Sequence, residues 1–190
     1  MSSQASHNAE VQAERTFSAG ETPHDDAEAL ARELGHPDAQ QLLATQALTR
    51  LAYTGHDGFP RVIPIGFYWN GEQIIVCTAP ISPKVRALSA RPHVALTIDT
   101  DDGTASRALM IRGVATIEIV DGVPDEYLAA AIKTMDSQQA RQFEAHVRAM
   151  YKQMARITIE ARWARYYDFG AGRVPGFLQK LAEDHSGIHG

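Results

Sequence analysis

Cysteine is nearly missing from this chain: Cys77 stands alone among 190 residues. A single cysteine excludes an intramolecular disulfide framework and fits a reducing, cytoplasmic compartment. Long apolar runs are missing too. No stretch reaches the roughly 18 residues that a membrane-spanning helix requires, and the start lacks the basic-then-apolar pattern of a secretory signal. No membrane partner is therefore expected. Positive charge is not in excess, since 18 Lys and Arg stand against 23 Asp and Glu for a net charge of −5. Without a basic footprint, nucleic acid is excluded as a partner. Internal repeats and a Gly-x-Ser-x-Gly elbow are absent, and Gly170-x-Gly172 runs into Pro175 rather than into a dinucleotide-binding helix. The histidines show no metal-ligand spacing beyond His185 and His189 in the tail. No metal site is expected, and no side chain is marked as a catalytic acid, base or nucleophile.

What is present is strand-like alternation. Residues 1–24 are polar and aperiodic and read as a flexible arm. Residues 25–169 read as one domain, and 170–190 as a tail with one short helix. Alternating apolar positions predict strands near 47–54, 61–68, 74–78, 93–100, 107–120 and 155–169. In the last of these, Ile157, Ile159, Ala161 and Trp163 share one face. Helices are predicted over 25–34, from Pro37, over 82–90, and twice between 125 and 153. Asp136 and Gln139 form a capping pair for the second of these, and Phe143, Val147, Met150 and Met154 form one continuous core stripe. The pattern predicts a mainly β protein with flanking helices, a six-stranded antiparallel barrel.

The segment from Arg61 to Lys84, RVIPIGFYWNGEQIIVCTAPISPK, organises the rest. Asn70-Gly71 predicts a two-residue hairpin turn between its strands. Pro64 has no N–H to give to a ladder, which predicts a sheet edge or a bulge. After Thr78 the ladder breaks, and Ser82 caps a helix with Pro83 at its first position. A helix start, two hydroxyls and Lys84 then converge on one small volume, an arrangement that favours an anion such as phosphate.

The run Arg61 to Gly66, then Cys77-Thr78, then Ser82 and Lys84, resembles the core of the pyridoxamine-phosphate-oxidase-like FMN-binding split-barrel family. The resemblance covers about residues 40–169. It implies that Arg61, Val62, Ile63, Pro64 and Ile65 lie along the flavin ring, beside Cys77, and that Thr78, Ser82 and Lys84 hold the cofactor phosphate. It also implies a homodimer with two flavins at the interface, the last strand lying near the partner's flavin, which makes Trp163 a candidate contact. In the family a polar residue, often Gln, precedes the apolar core of the long strand. Aligned on Gly113, that place falls to Ala108, with Arg107 beside it as the candidate. The Arg-containing C-terminal motif of the true oxidases is absent, so oxidation of pyridoxamine phosphate is not implied.

The expected function is a flavin-dependent oxidoreductase that binds FMN and passes hydride to or from a small organic substrate. Two alternatives stand beside it. Ser82-Pro83-Lys84 and an arginine-rich composition resemble the flavin/deazaflavin oxidoreductase branch, which implies the 8-hydroxy-5-deazaflavin coenzyme. The same barrel also serves as a non-catalytic flavin- or haem-binding carrier, sensor or stress protein.

Overall fold

A computed structural model describes residues 23–101 and 106–186. Two helices come first, α1 (Pro23–Gly35) and α2 (Pro37–Thr45). Four strands follow: β1 (Leu48–Thr54), β2 (Pro60–Gly66), β3 (Tyr68–Trp69) and β4 (Ile74–Thr78). Helix α3 (Pro83–Ala90) leads into β5 (His93–Asp101) and β6 (Ser106–Asp121). Helix α4 (Asp125–Ala131), a 3-10 turn (Ile132–Thr134) and α5 (Ser137–Met150) precede β7 (Gln153–Asp168), and α6 (Gly176–Ser186) comes last. The expected arm lies outside the described residues except for its last two, and most of the expected Asp101-Asp102-Gly103 turn lies outside them as well. Among the described residues no helix is long and apolar enough to cross a membrane.

The seven strands form one antiparallel sheet in the order β2-β1-β5-β6-β7-β4-β3. β2 and β4 stand far apart in that order, yet both line one cavity, so the sheet curls into a split barrel. β2 is an edge strand, as Pro64 requires. β4 is buried on both faces. Ile74 and Val76 enter the main core with Leu51, Leu96, Ile111 and Ile159, whereas Ile75 and Cys77 pack with Val123, Val147 and Met154 beneath α4 and α5.

Three local expectations are corrected. The seventh strand exists because 61–68 does not run into a hairpin with 74–78. Phe67 turns fully into the core, a burial worth about 1.5–3 kcal/mol relative to exposure, and only Tyr68 and Trp69 pair back onto β4. The connecting turn is therefore four residues, not two. Asn70 Oδ1 accepts from the N–H of Glu72 at 2.9 Å and of Gln73 at 2.7 Å, while Gly71 supplies a φ of 100°. The stripe Phe143, Val147, Met150, Met154 is not one helix face. The Asp136–Gln139 capping box is present at the start of α5, but α5 stops at Met150, which is 55% exposed, and the buried Met154 belongs to β7.

The third correction concerns Trp163. Arg112 pairs with Trp163 and Gly113 with Ala161, so Arg162 is an extra residue, a β-bulge in β7. The bulge reverses the alternation: Ile157 and Ile159 are buried before it, Ala164 and Tyr166 after it. Trp163 therefore leaves the Ile157 face, and its ring stacks under the Arg112 guanidinium at 4.4 Å.

Glu33 ties α1 to β7. Only 7% exposed, it accepts from the Tyr166 N–H at 2.8 Å, Arg165 Nη1 at 3.1 Å and Arg173 Nη2 at 2.7 Å. Burial alone would raise its pKa. The Tyr166 N–H, the Arg173 charge and the arginine hydrogen bonds outweigh that and hold the carboxyl below its ordinary 4.5. A depressed carboxylate contributes stability that is complete above pH 4.5 and is lost as pH falls through the lower folded value. Both arginines are about two-fifths exposed, so solvent screening limits the expected loss for Glu33→Gln to about 1–2 kcal/mol at neutral pH. Melting curves of the two proteins should converge as the pH is lowered through the depressed folded-state value, below the ordinary 4.5. A gap that stays constant over that range would show that the charge contributes nothing.

Candidate functional site

Between the edge of β2 and the end of β4, with α4 and the start of β7 closing the sides, lies a cavity of about 770 Å³, within the range typical of small-molecule sites. Pro64, Ile65 and Gly66 form one wall and Ile75, Cys77 and Thr78 the opposite one. The space exists because α4 turns Ala130 and Ala131 toward it, where larger side chains would fill it. The wall from β2 is open backbone, since an edge strand pairs on one side only.

At the end of β4 the chain turns through Ala79 to Ser82 and starts α3. Lys84 Nζ donates to Ser82 Oγ at 2.6 Å and to Thr78 Oγ1 at 3.2 Å. Ser82 occupies the N-cap position with Pro83 behind it, but its hydroxyl makes no cap bond and serves the lysine instead. This corrects the expected capping role. Burial lowers the Lys84 pKa, and among the described residues no carboxylate pairs with it. A partly desolvated cation with hydroxyl partners and no carboxylate beside it among the described residues, at the start of a helix, is suited to an anion.

The remaining predicted residues divide. Pro64, Ile65, Cys77, Thr78 and Ser82 all line the cavity, with Lys84 bonded to the last two. Ile63 packs against the core instead, and Val62 is 65% exposed. Arg61 donates to Asp57 Oδ2 at 2.6 Å and borders a separate small cavity between Gly55 and Pro83. Arg107 Nη1 donates to Gln41 on α2 at 3.3 Å, and Trp163 lies with Arg112 outside the cavity lining. Within one chain, Arg61, Arg107 and Trp163 are not brought to the lysine. Cys77 is a wall and not a nucleophile, because burial, then the Glu126 charge, push its thiol up to about 12. The side chains of His185 and His189 lie outside those described.

The helical wall escaped the sequence reading, which predicted two helices between 125 and 153 but placed no site residue on them. Glu126 lines the cavity and is gripped by Arg156, whose Nε and Nη2 reach Oε1 at 3.0 and 2.9 Å, while its Nη1 donates to Thr158 Oγ1 at 2.9 Å. Tyr127 stacks on Phe143 at 5.9 Å and meets Tyr151 edge-on at 6.4 Å. The available signal was the i, i+4 pairing of Glu126 with Ala130 and of Tyr127 with Ala131, which sets two polar residues and two small ones on adjoining faces. Behind this wall, Lys133 Nζ donates to the carbonyls of Leu43 and Gln46 at 3.2 and 3.0 Å and sits 4.1 Å from the Phe67 ring centroid. It satisfies carbonyls at the end of α2 and pins the 3-10 turn in place.

Residues 36–166 match the sequence model for pyridoxamine 5'-phosphate oxidase. A search of curated proteins finds no match. Among solved structures, a conserved hypothetical protein of Mycobacterium tuberculosis is 20% identical with a TM-score of 0.58, the match covering 74% of this chain and 88% of that one. An F420 reductase is 23% identical with a TM-score of 0.49, covering 66% of this chain and 94% of its own. The haem storage protein HutZ of Vibrio cholerae is 18% identical with a TM-score of 0.47, covering 66% and 89%. At 20% identity the first likeness shows the fold alone.

Proposed function

Because this chain belongs to the pyridoxamine 5'-phosphate oxidase family of split barrels, we propose that it is a flavin-dependent oxidoreductase that seats FMN with its phosphate against Thr78, Ser82 and Lys84. The observation that carries this reading is Lys84: a half-buried ammonium held by two hydroxyls that line one end of the cavity, without a carboxylate partner among the described residues. These residues fit such a group. The cation and hydroxyls match a phosphate, and the Pro64–Gly66 backbone with Ile75 and Met154 offers a slot for a flat ring. When bound, the flavin supplies the hydride chemistry, which agrees with a site that holds no triad of its own. The protein's part is to hold the phosphate, to orient the ring along β2, and to keep water out with α4 and Tyr127. Leu48, Phe59 and Val62, each more than half exposed around this edge, are surface that a second copy covers in the proposed homodimer.

The test begins with the purified full chain, its absorbance spectrum and its native mass, followed by titration of apo-protein with FMN and with the 8-hydroxy-5-deazaflavin coenzyme. FMN is expected to bind a dimer and to be reduced by a hydride donor. A deazaflavin preference would move the protein to the second cofactor. A bound chromophore that no donor reduces and no acceptor reoxidises would make it a carrier or sensor.

A further inference from the structure

Among the described residues Glu126 is the one charged residue in the cavity lining, and it is held in an uneven way. Both Arg156 donors converge on Oε1, and among the described residues nothing donates to Oε2. The side chain is about a quarter exposed, as is that of its arginine, so the remaining oxygen is open to a donor carried by a guest. Arg156 is itself fixed by its bond to Thr158 Oγ1 and by its place in β7 opposite Cys77. The acceptor is therefore presented rigidly, between the apolar wall of β4 and the Tyr127 ring.

We infer that Glu126 is the polar anchor of the cavity, its Oε2 accepting an N–H from a planar guest whose flat face lies among Ile75, Tyr127 and Met154. Small-molecule sites are mostly apolar with a few placed polar groups that set orientation, and a charged acceptor discriminates strongly against a guest that lacks the donor. The required chemistry is a ring-borne N–H. Two sources supply it: the imide N–H of a flavin ring, or an amidine or amine of a second, substrate-like molecule. The first source rests on the flavin reading above; the second does not.

The experiment separates them with the full-length protein. Apo-protein is titrated with FMN and with FMN methylated at its ring imide nitrogen, and separately with benzamidine, a planar donor-bearing cation. Each titration is repeated on Glu126→Gln, which keeps a carbonyl for Arg156 but turns an acceptor into an amide donor, with thermal melts as the folding control. If the flavin imide is the guest, wild type binds FMN about ten- to a hundredfold more tightly than the methylated form, and Glu126→Gln binds both alike. If a second molecule is the guest, the two flavins bind alike and benzamidine affinity falls about tenfold or more in Glu126→Gln. Equal affinities for wild type and variant in every titration, with unchanged melts, would overturn the assignment. Failure of wild type to bind FMN at all would instead strike the flavin reading and leave benzamidine to decide Glu126.

Discussion

Lys84→Ala is expected to weaken FMN binding by about ten- to over a hundredfold, the equivalent of losing one charge-assisted contact of roughly 1.5–3 kcal/mol. The size of the effect follows from the absence of a substitute. Thr78 and Ser82 remain after the mutation, but both are neutral, and the lysine they hold has no second cation beside it among the cavity residues. The fold should survive, because Lys84 lies in the first turn of α3 and alanine is a good helix former. Lys84→Arg should retain part of the affinity, since the charge stays while the planar fork fits the two hydroxyls differently. Burial holds the Lys84 pKa below the ordinary lysine value, so wild-type affinity should decline as alkaline pH takes the lysine through that lowered value, a decline that Lys84→Ala lacks. The measurement is a fluorescence-quenching titration of FMN, with the deazaflavin coenzyme in parallel and circular dichroism as the control. Unchanged affinity of Lys84→Ala for both cofactors, with an unchanged spectrum, would remove the phosphate seat and most of the flavin reading with it.

Gly113→Ala is expected to destabilise the protein by about 1–3 kcal/mol through overpacking. For a chain of this length, each kcal/mol corresponds to roughly 2–4 °C in melting temperature. A Cβ at Gly113 would lie 2.5 Å from the Glu160 carbonyl oxygen and 3.0 Å from Ile159 Cγ2. The first of these is backbone in the neighbouring strand and has no rotamer to yield. Gly113 sits where β7 carries its extra residue, so the β6 and β7 backbones approach too closely there for any side chain. Gly35→Ala is the matched control: a Cβ there meets nothing within 4 Å, and its effect should be neutral or slightly stabilising. Because the bulge sets Trp163 over Arg112, the Gly113 variant should also shift tryptophan fluorescence in the folded state. Equal melting temperatures for the Gly113 and Gly35 variants would show that the strands move apart at little cost.

The devices legible in the sequence are those that close within a few residues. Thr78, Ser82 and Lys84 lie within seven consecutive positions, so one turn and one helix start suffice to assemble them. Pro64 marks a sheet edge because the missing N–H is a property of the residue itself. The capping box at Asp136 likewise needs only its own helix. The opposite wall of the cavity was not legible in this way. Glu126 meets Arg156 across 30 positions of chain, and that contact exists only because β7 returns beside β4 and carries Arg156 opposite Cys77. Trp163 was misplaced for a related reason. Strict alternation puts it with Ile157 and Ile159, and the single extra residue at Arg162 that reverses the faces is imposed by pairing with β6 at Gly113. Alternation and capping arise between near neighbours and are written in their order. Which strand edges meet, and where a ladder slips by one residue, depends on the apolar surface that the whole curled sheet can bury, a quantity that belongs to no single segment.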